Sequence, residues 1–438
     1  MQNNTQIFEH KNETLGEMYY EIRHTSGLPI YLIPKDLSTT YALFATRYGS
    51  LDNSFRTRDD AEMVTVPDGI AHFLEHKMFE AEDGVDTFER FAKIGASANA
   101  FTSNDMTAYE FSCTDNLYEA LEILLDYVMH PYFTEENVQK EQGIIGQEIQ
   151  MCDDNPMRRL YYELLNLLYV RDKVKINICG TKESIACITP KLLYQCYNTF
   201  YRLSNMALIV CGKAECDRVI EVADKVLPVQ PYQKIDRYYE AEPKSVAATR
   251  AKVAMSVARP LFAVGIKDVR EFVGGREDER HALLLRMIAD MLFGSSGEFY
   301  NEMYECGFLN NSFDASYEAS RTSGFMLLWG EADDPELVYS KIIEKIKESQ
   351  KNPPSEEEFL RAKRNHYAAY IRTFDSTSGI ANEFLEDLFA GVDTLEVGDI
   401  LSSVTYEDVV AEIQNFFRDE RIAMAVVAPI AEGRGEAC

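Results

Sequence analysis

Two uninterrupted apolar runs, Met206–Cys211 and Ile422–Ala428, mark this chain. Runs of that length read as strands buried on both faces. Each closes a similar series of elements. Thr189-Pro190 opens a helix that leads through Phe200-Tyr201-Arg202 to the first run, and Thr405 opens one that leads through Phe416-Phe417-Arg418 to the second. Further upstream, Leu43-Phe44-Ala45 is echoed by Leu261-Phe262-Ala263. Both copies read as a strand, helices, a long helix and a final apolar strand. The repeat predicts an α+β protein of two tandem homologous α/β domains, each a mostly antiparallel sheet packed with helices. The expected boundaries are residues 1–227 and 251–438. Residues 228–250, with prolines at 228, 231 and 243, are expected to form a linker.

Within the first copy, Pro67-Asp68-Gly69-Ile70-Ala71-His72-Phe73-Leu74-Glu75-His76-Lys77-Met78-Phe79 reads as a short helix, with Asp68 as its expected N-cap. On a helix His72 and His76 stand on one face and can share a metal ion, and Glu75 lies beside them. The spacing is H-x-x-E-H, the inverse of the H-E-x-x-H zinc-peptidase helix. Zinc chemistry needs a third protein ligand and an open position. A second helix offers candidates: Thr134 can cap it, acidic residues fill its first turn, and Glu141 and Glu148 stand two turns apart on the stripe of Val138 and Ile145. Gly143 and Gly146 each cost about 1 kcal/mol against alanine in a helix interior, which predicts close approach of another element there.

These residues resemble the insulinase/pitrilysin family of inverted zinc metallopeptidases, most closely its half-length YmfH-like bacterial branch. Gly95–Ser103 with Thr107-Ala108-Tyr109, Gly180–Ile185 and Asn205-Met206-Ala207-Leu208 also fit the family pattern. The resemblance implies one Zn2+ per chain held by His72, His76 and Glu148, with Glu75 as general base and then acid. Glu141 would support a ligand or the base from behind. The stretch Asn99, Ala100, Phe101 and Thr102 would be the edge strand to which extended peptide is added. The implied activity is hydrolysis of unfolded peptides. In the second copy Arg286 and Asp290 fall where His72 and His76 stand, so no second metal site is expected. Many relatives carry an Arg-x6-Tyr pair that contacts peptide, and here Met303 and Asn310 fall at those places. The implied partner is therefore a sister subunit of the same fold without the zinc motif, or else a second copy of this chain.

Composition narrows the alternatives. The chain has 438 residues, 46% of them hydrophobic, which is enough for two or three cores. A net charge of −28 argues against nucleic acid as a partner. Nine cysteines without C-x2-C spacing suggest reduced thiols and a cytoplasmic location. The beginning Met1–His10 lacks a basic and then apolar leader, and no apolar run is long enough to span a bilayer. Gly294-Ser295-Ser296-Gly297 lacks the lysine of a phosphate loop, Trp329 reads as a core or partly buried strand residue, and Lys341–Lys351 reads as a solvated helix face. The alternative function is a non-proteolytic scaffold or maturation partner retaining the same fold. A complete His72, Glu75, His76 and Glu148 set argues for the peptidase.

Overall fold

The structure, a computed structural model, describes residues 5–57 and 62–430. Met1 to Asn4 and Cys438 lie outside the described residues. The chain divides into two compact units, each discontinuous in sequence.

Unit 1 takes residues up to Ile149, then Asn177–Tyr239 and Tyr370–Glu396. Its strands are β1 (Gln6–Asn12), β2 (Glu17–Arg23), β3 (Pro29–Pro34), β4 (Thr40–Thr46), β5 (Ser54–Thr57), β6 (Val64–Thr65), β7 (Ser97–Thr102), β8 (Thr107–Cys113), β9 (Met206–Gly212) and β10 (Ile235–Arg237). Seven of them form one sheet in the order β1-β2-β3-β9-β4-β8-β7, while β10, β5 and β6 form a small separate sheet. Among the described residues of this unit, only β3 and β9 pair in parallel. The apolar run expected to be a buried strand is β9, and it is buried throughout, as is its neighbour β4. One face of this sheet, with Leu43, Ala45 and Ile209, packs against Ile380, Phe384 and Leu385 of the helix Thr377–Ala390. Each leucine, isoleucine or phenylalanine so buried contributes about 1.5–3 kcal/mol. A stretch late in the chain thus completes the core of the first sheet.

Unit 2 takes Gln150–Ile176, Glu240–Ala369 and the residues from Val397 onward. Its sheet has β11 (Arg250–Met255), β12 (Leu261–Lys267), β13 (Asp314–Ala319), β14 (Gly324–Glu331) and β15 (Ile422–Pro429) in the order β11-β15-β12-β14-β13. Its one parallel pair is β11 with β15. The succession of pairings matches that of β3-β9-β4-β8-β7, so the repeat read in the sequence is a repeat of strand topology. The helix Pro156–Leu168 lies against β11, β12 and β15. It comes within reach because β12 carries Gly265, where a Cβ would meet Leu168 at 2.8 Å.

The connection between the two strand repeats is ordered. Arg237 pairs with the buried Asp52 at 2.9 Å, and Tyr239 donates to the same carboxylate at 2.8 Å. In unit 2, Glu242 accepts from the backbone N–H groups of Val170, Arg171 and Asp172 and from Lys267 at 2.6 Å. No helix among the described residues is long and apolar enough to cross a membrane.

Candidate functional site

The two histidines of the sequence motif lie in unit 1 on α1 (Ile70–Lys77), whose residues are almost all buried. The helix starts differently from expectation. Its N-cap is Gly69, in a left-handed conformation at φ 89, with no side-chain cap. The Asp68 carboxylate instead accepts from Asn53 Nδ2 at 3.0 Å. Gly69 is required there by more than its torsion, because a Cβ would lie 2.5 Å from the carbonyl oxygen of Cys179. Gly180, at φ 74, stands in the reciprocal position: its Cβ would lie 2.5 Å from the carbonyl oxygen of Asp68. Ser184 Oγ closes the contact by donating to that same oxygen at 2.7 Å. Two glycines, each admitting a carbonyl beside the other, thus lock the 179–184 segment against the start of α1.

The second helix is the longer of the pair. After α2 (Thr87–Lys93) and α3 (Leu117–Met129), α4 runs from Glu135 to Asp154. Thr134 caps it as expected: its Oγ1 accepts from the Asn137 N–H at 3.2 Å, and Asn137 Oδ1 accepts from the Thr134 N–H at 2.9 Å. Val138 and Ile145 are buried, and Glu141 and Glu148 project from the same side toward α1. Gly143 and Gly146 do not mark a close approach: a Cβ at either would meet nothing within 4 Å. That expectation is corrected, and nothing in the packing accounts for either glycine.

The side chains converge on Glu148. Its Oε1 lies 3.6 Å from His72 Nε2 and its Oε2 lies 3.6 Å from His76 Nε2. Donors that share one zinc ion tetrahedrally at about 2.0–2.1 Å stand about 3.3 Å apart, so each of these two distances is close to what shared ligation requires. His76 is oriented from behind, since its Nδ1 lies 3.0 Å from Glu141 Oε1. Burial opposes charge on His76, but the hydrogen bond to Glu141 and the nearby Glu75, Glu141 and Glu148 outweigh it and raise its pKa. Burial also opposes ionisation of Glu141. The His76 hydrogen bond and the charge of Lys77 overcome this and hold its carboxyl below the usual range. Glu75, 8% exposed, accepts from Thr102 Oγ1 at 2.7 Å. Burial pushes its carboxyl upward, against the Thr102 hydrogen bond and the neighbouring His76.

Asn99, Ala100, Phe101 and Thr102 lie on β7, the last strand of the seven-stranded sheet, against which α1 packs. The register sets Asn99 opposite Glu110 and Thr102 opposite Thr107 on β8. One edge of β7 carries the ladder to β8, and Thr102 at its end is tied to Glu75. His72, His76, Glu148, Glu75 and the end of this strand are therefore brought together, while Asn99 to Phe101 run along the strand leading away from Thr102.

Two family models match adjacent parts of the chain. Residues 65–182 match the insulinase (peptidase family M16) model, and residues 188–365 match the model of the M16 inactive domain. A protein described as "Uncharacterized zinc protease YmfH" from Bacillus subtilis (strain 168) is 39% identical over 421 residues, covering 95% of this chain and 98% of its own. The chain belongs to the insulinase family.

Among solved structures, an M16-like peptidase from Alicyclobacillus acidocaldarius superposes with a TM-score of 0.90 at 33% identity, over 98% of this chain and all of that one. A protease from Helicobacter pylori superposes with a TM-score of 0.80 at 20% identity, over 94% and 99% of the two chains, a likeness of fold. Two residues at this insulinase-family site had no signal in the spacing of the motif. Lys77 is fully buried, with Nζ 2.7 Å from Glu80 Oε2 and 3.6 Å from Glu141 Oε2. Cys179 brings Sγ to 3.9 Å from His72 Nε2 and 3.7 Å from Glu148 Oε1. Among the described residues, the group whose possible metal donors all lie within 4.8 Å of one another is His72, Glu148 and Cys179. His76 reaches the other oxygen of Glu148. The place of Cys179 follows from the packing of Gly180 against Asp68, which no spacing in the sequence records.

Proposed function

We propose that this protein is a zinc-dependent endopeptidase acting on unfolded peptides. The observation that carries the reading is the pair of imidazoles, each with Nε2 3.6 Å from one oxygen of Glu148, beside a buried Glu75. Two neutral imidazoles and a carboxylate suit zinc, and His72, His76 and Glu148 would hold it. Zinc bound there would supply polarisation of a scissile carbonyl and a water of pKa lowered toward about 7. Glu75, buried beside these residues, would act as general base toward an attacking water and then as general acid toward the leaving amine. Thr102 holds the Glu75 carboxylate in place from the end of β7. Glu141 fixes the ring of His76, and Lys77 holds Glu141 in turn. The backbone of β7 around Asn99, Ala100 and Phe101 accepts extended peptide as an added strand.

The partner belongs to the same proposal. Met303, where many relatives have the arginine of their peptide-contacting pair, is buried in unit 2, and Asn310 donates to Glu331 at 3.3 Å. Neither can supply a cation to bound peptide, so we assign that role to a sister subunit lacking the zinc motif, or else to a second copy of this chain. A cytoplasmic location, proposed from the scattered cysteines, is checked by cell fractionation.

The first test is elemental analysis of the purified full chain, with about one zinc ion expected per chain. No zinc after reconstitution would turn the assignment to a scaffold with this fold. Glu75→Gln is expected to keep zinc and lose about 10²–10⁴-fold in peptide turnover, the usual weight of a positioned proton-transfer group. Unchanged turnover would refute its role. Glu148→Ala is expected to weaken zinc binding strongly, and full retained affinity would refute Glu148 as a ligand. Turnover assayed with and without a co-expressed sister subunit decides the partner.

A further inference from the structure

Cys179 has no part in the chemistry above, yet it is placed as a donor atom would be. Zinc–sulfur and zinc–nitrogen bonds of about 2.3 and 2.0–2.1 Å set tetrahedral donor atoms about 3.5 Å apart. Its Sγ stands 3.9 Å from His72 Nε2 and 3.7 Å from Glu148 Oε1, within a few tenths of an ångström of that edge. The position is built. The Cys179 N–H donates to Asn177 Oδ1 at 3.0 Å, and the Cys179 carbonyl occupies the space left by the missing side chain of Gly69. The thiol is also buried, 4% exposed, so bulk water does not solvate it. Other buried thiols differ: Cys196 and Cys211 sit in the apolar core. Cys179 instead faces an imidazole and a carboxylate.

We propose that Cys179 is a fourth protein donor to the metal and competes with water for its open position. The proposal rests on the metal site proposed above. Four protein donors make a closed site of the structural kind, whereas hydrolysis needs three donors and an open position. His72 and His76 are carried on α1 and Glu148 on α4, and the 179–184 backbone is locked against α1, so the donor leaves by rotation of the Cys179 side chain alone. Ligation releases the thiol proton to solvent and one water molecule from the metal. Displacement reverses both, taking up a proton and readmitting water. The soft thiolate would hold the resting site shut until a bound peptide carbonyl or water replaces it.

Cobalt(II), loaded into the full-length protein, reports the donor set without reference to activity. A near-ultraviolet thiolate-to-cobalt charge-transfer band is expected beside the visible cobalt bands. It should be lost in Cys179→Ser and Cys179→Ala and unchanged in Cys187→Ser, whose thiol is exposed. A saturating peptide hydroxamate should bleach the band in the unmutated protein. Visible bands without a charge-transfer band in the unmutated protein would overturn the role of Cys179 and leave the metal site standing. A band that survives in both Cys179 variants would likewise overturn it. A band that persists with hydroxamate would make Cys179 a fixed ligand and overturn the competition. Absence of all cobalt bands would overturn the metal site and this proposal together.

Discussion

Gly180→Ala and Gly16→Ala form a matched pair that isolates the interlock holding the site together. The two glycines share a left-handed conformation, at φ 74 and φ 70. Alanine in that region costs about 1–2 kcal/mol. Against this stands a gain of about 0.4–1 kcal/mol from restricting the unfolded chain. Gly16 has nothing within 4 Å of a Cβ, so its substitution should cost about 1 kcal/mol. At Gly180 the Cβ meets the Asp68 carbonyl oxygen at 2.5 Å and Ser184 Oγ at 2.7 Å. Overpacking adds about 1–3 kcal/mol. Loss of the Ser184 hydrogen bond to Asp68 adds about 0.5–1.5 kcal/mol. Gly180→Ala should therefore cost about 3–5 kcal/mol in all. Urea unfolding followed by circular dichroism measures both variants. Hydrogen exchange over residues 68–78 should show the extra loss at the start of α1. Zinc affinity should fall in Gly180→Ala and not in Gly16→Ala. If the two variants lose stability equally and both keep zinc, the close approach does not hold the site and the reasoning fails.

Gly143→Ala, at an exposed helix position with open space around it, should stabilise the protein by about 1 kcal/mol, and a loss of stability would show that the α4 face is occupied. Lys77→Met should cost about 3 kcal/mol, because it leaves Glu141 buried without its cation; urea unfolding of the purified variant that shows no loss would refute this. In unit 2, burial opposes ionisation of Asp268, but His281 and Tyr317 at 2.7 Å and the Arg270 N–H outweigh it and hold its carboxyl below the usual range. Its stabilising contribution is thus complete above the unfolded value of about pH 3.9 and is lost as the pH falls through the lower folded value. The stability gap between the unmutated protein and Asp268→Asn should shrink as the pH falls below about 4; a gap indifferent to acid would refute the assignment.

What the sequence made legible follows from which forces act locally. β9 and β15 were readable because a strand buried on both faces has no polar side to show, and the run is short enough to exclude a helix. The likeness of the two halves was readable for the same reason, since each half repeats its central strands. His72, Glu75 and His76 were readable because a helix converts spacing directly into a shared face. β7 carries no such signature: its burial alternates weakly, and only the resemblance to a family marked it. Gly143 and Gly146 misled because a glycine in a helix signals a cost without saying what offsets it, and here the space beside both is open. Asp68 misled because a capping residue was inferred from its type, when the left-handed turn at Gly69 decides where the helix begins. Cys179 was invisible for a different reason. Its approach to His72 is set by two glycines far apart in the chain, each leaving room for the other's neighbouring carbonyl, and no pattern within either segment records the pairing. The exchanged helices Pro156–Leu168 and Thr377–Ala390 belong to the same class, because an amphipathic helix states that it will be covered and not by which sheet. Chemistry carried on one helix can be read from the chain, whereas chemistry completed by a packed loop becomes readable only once the packing is known.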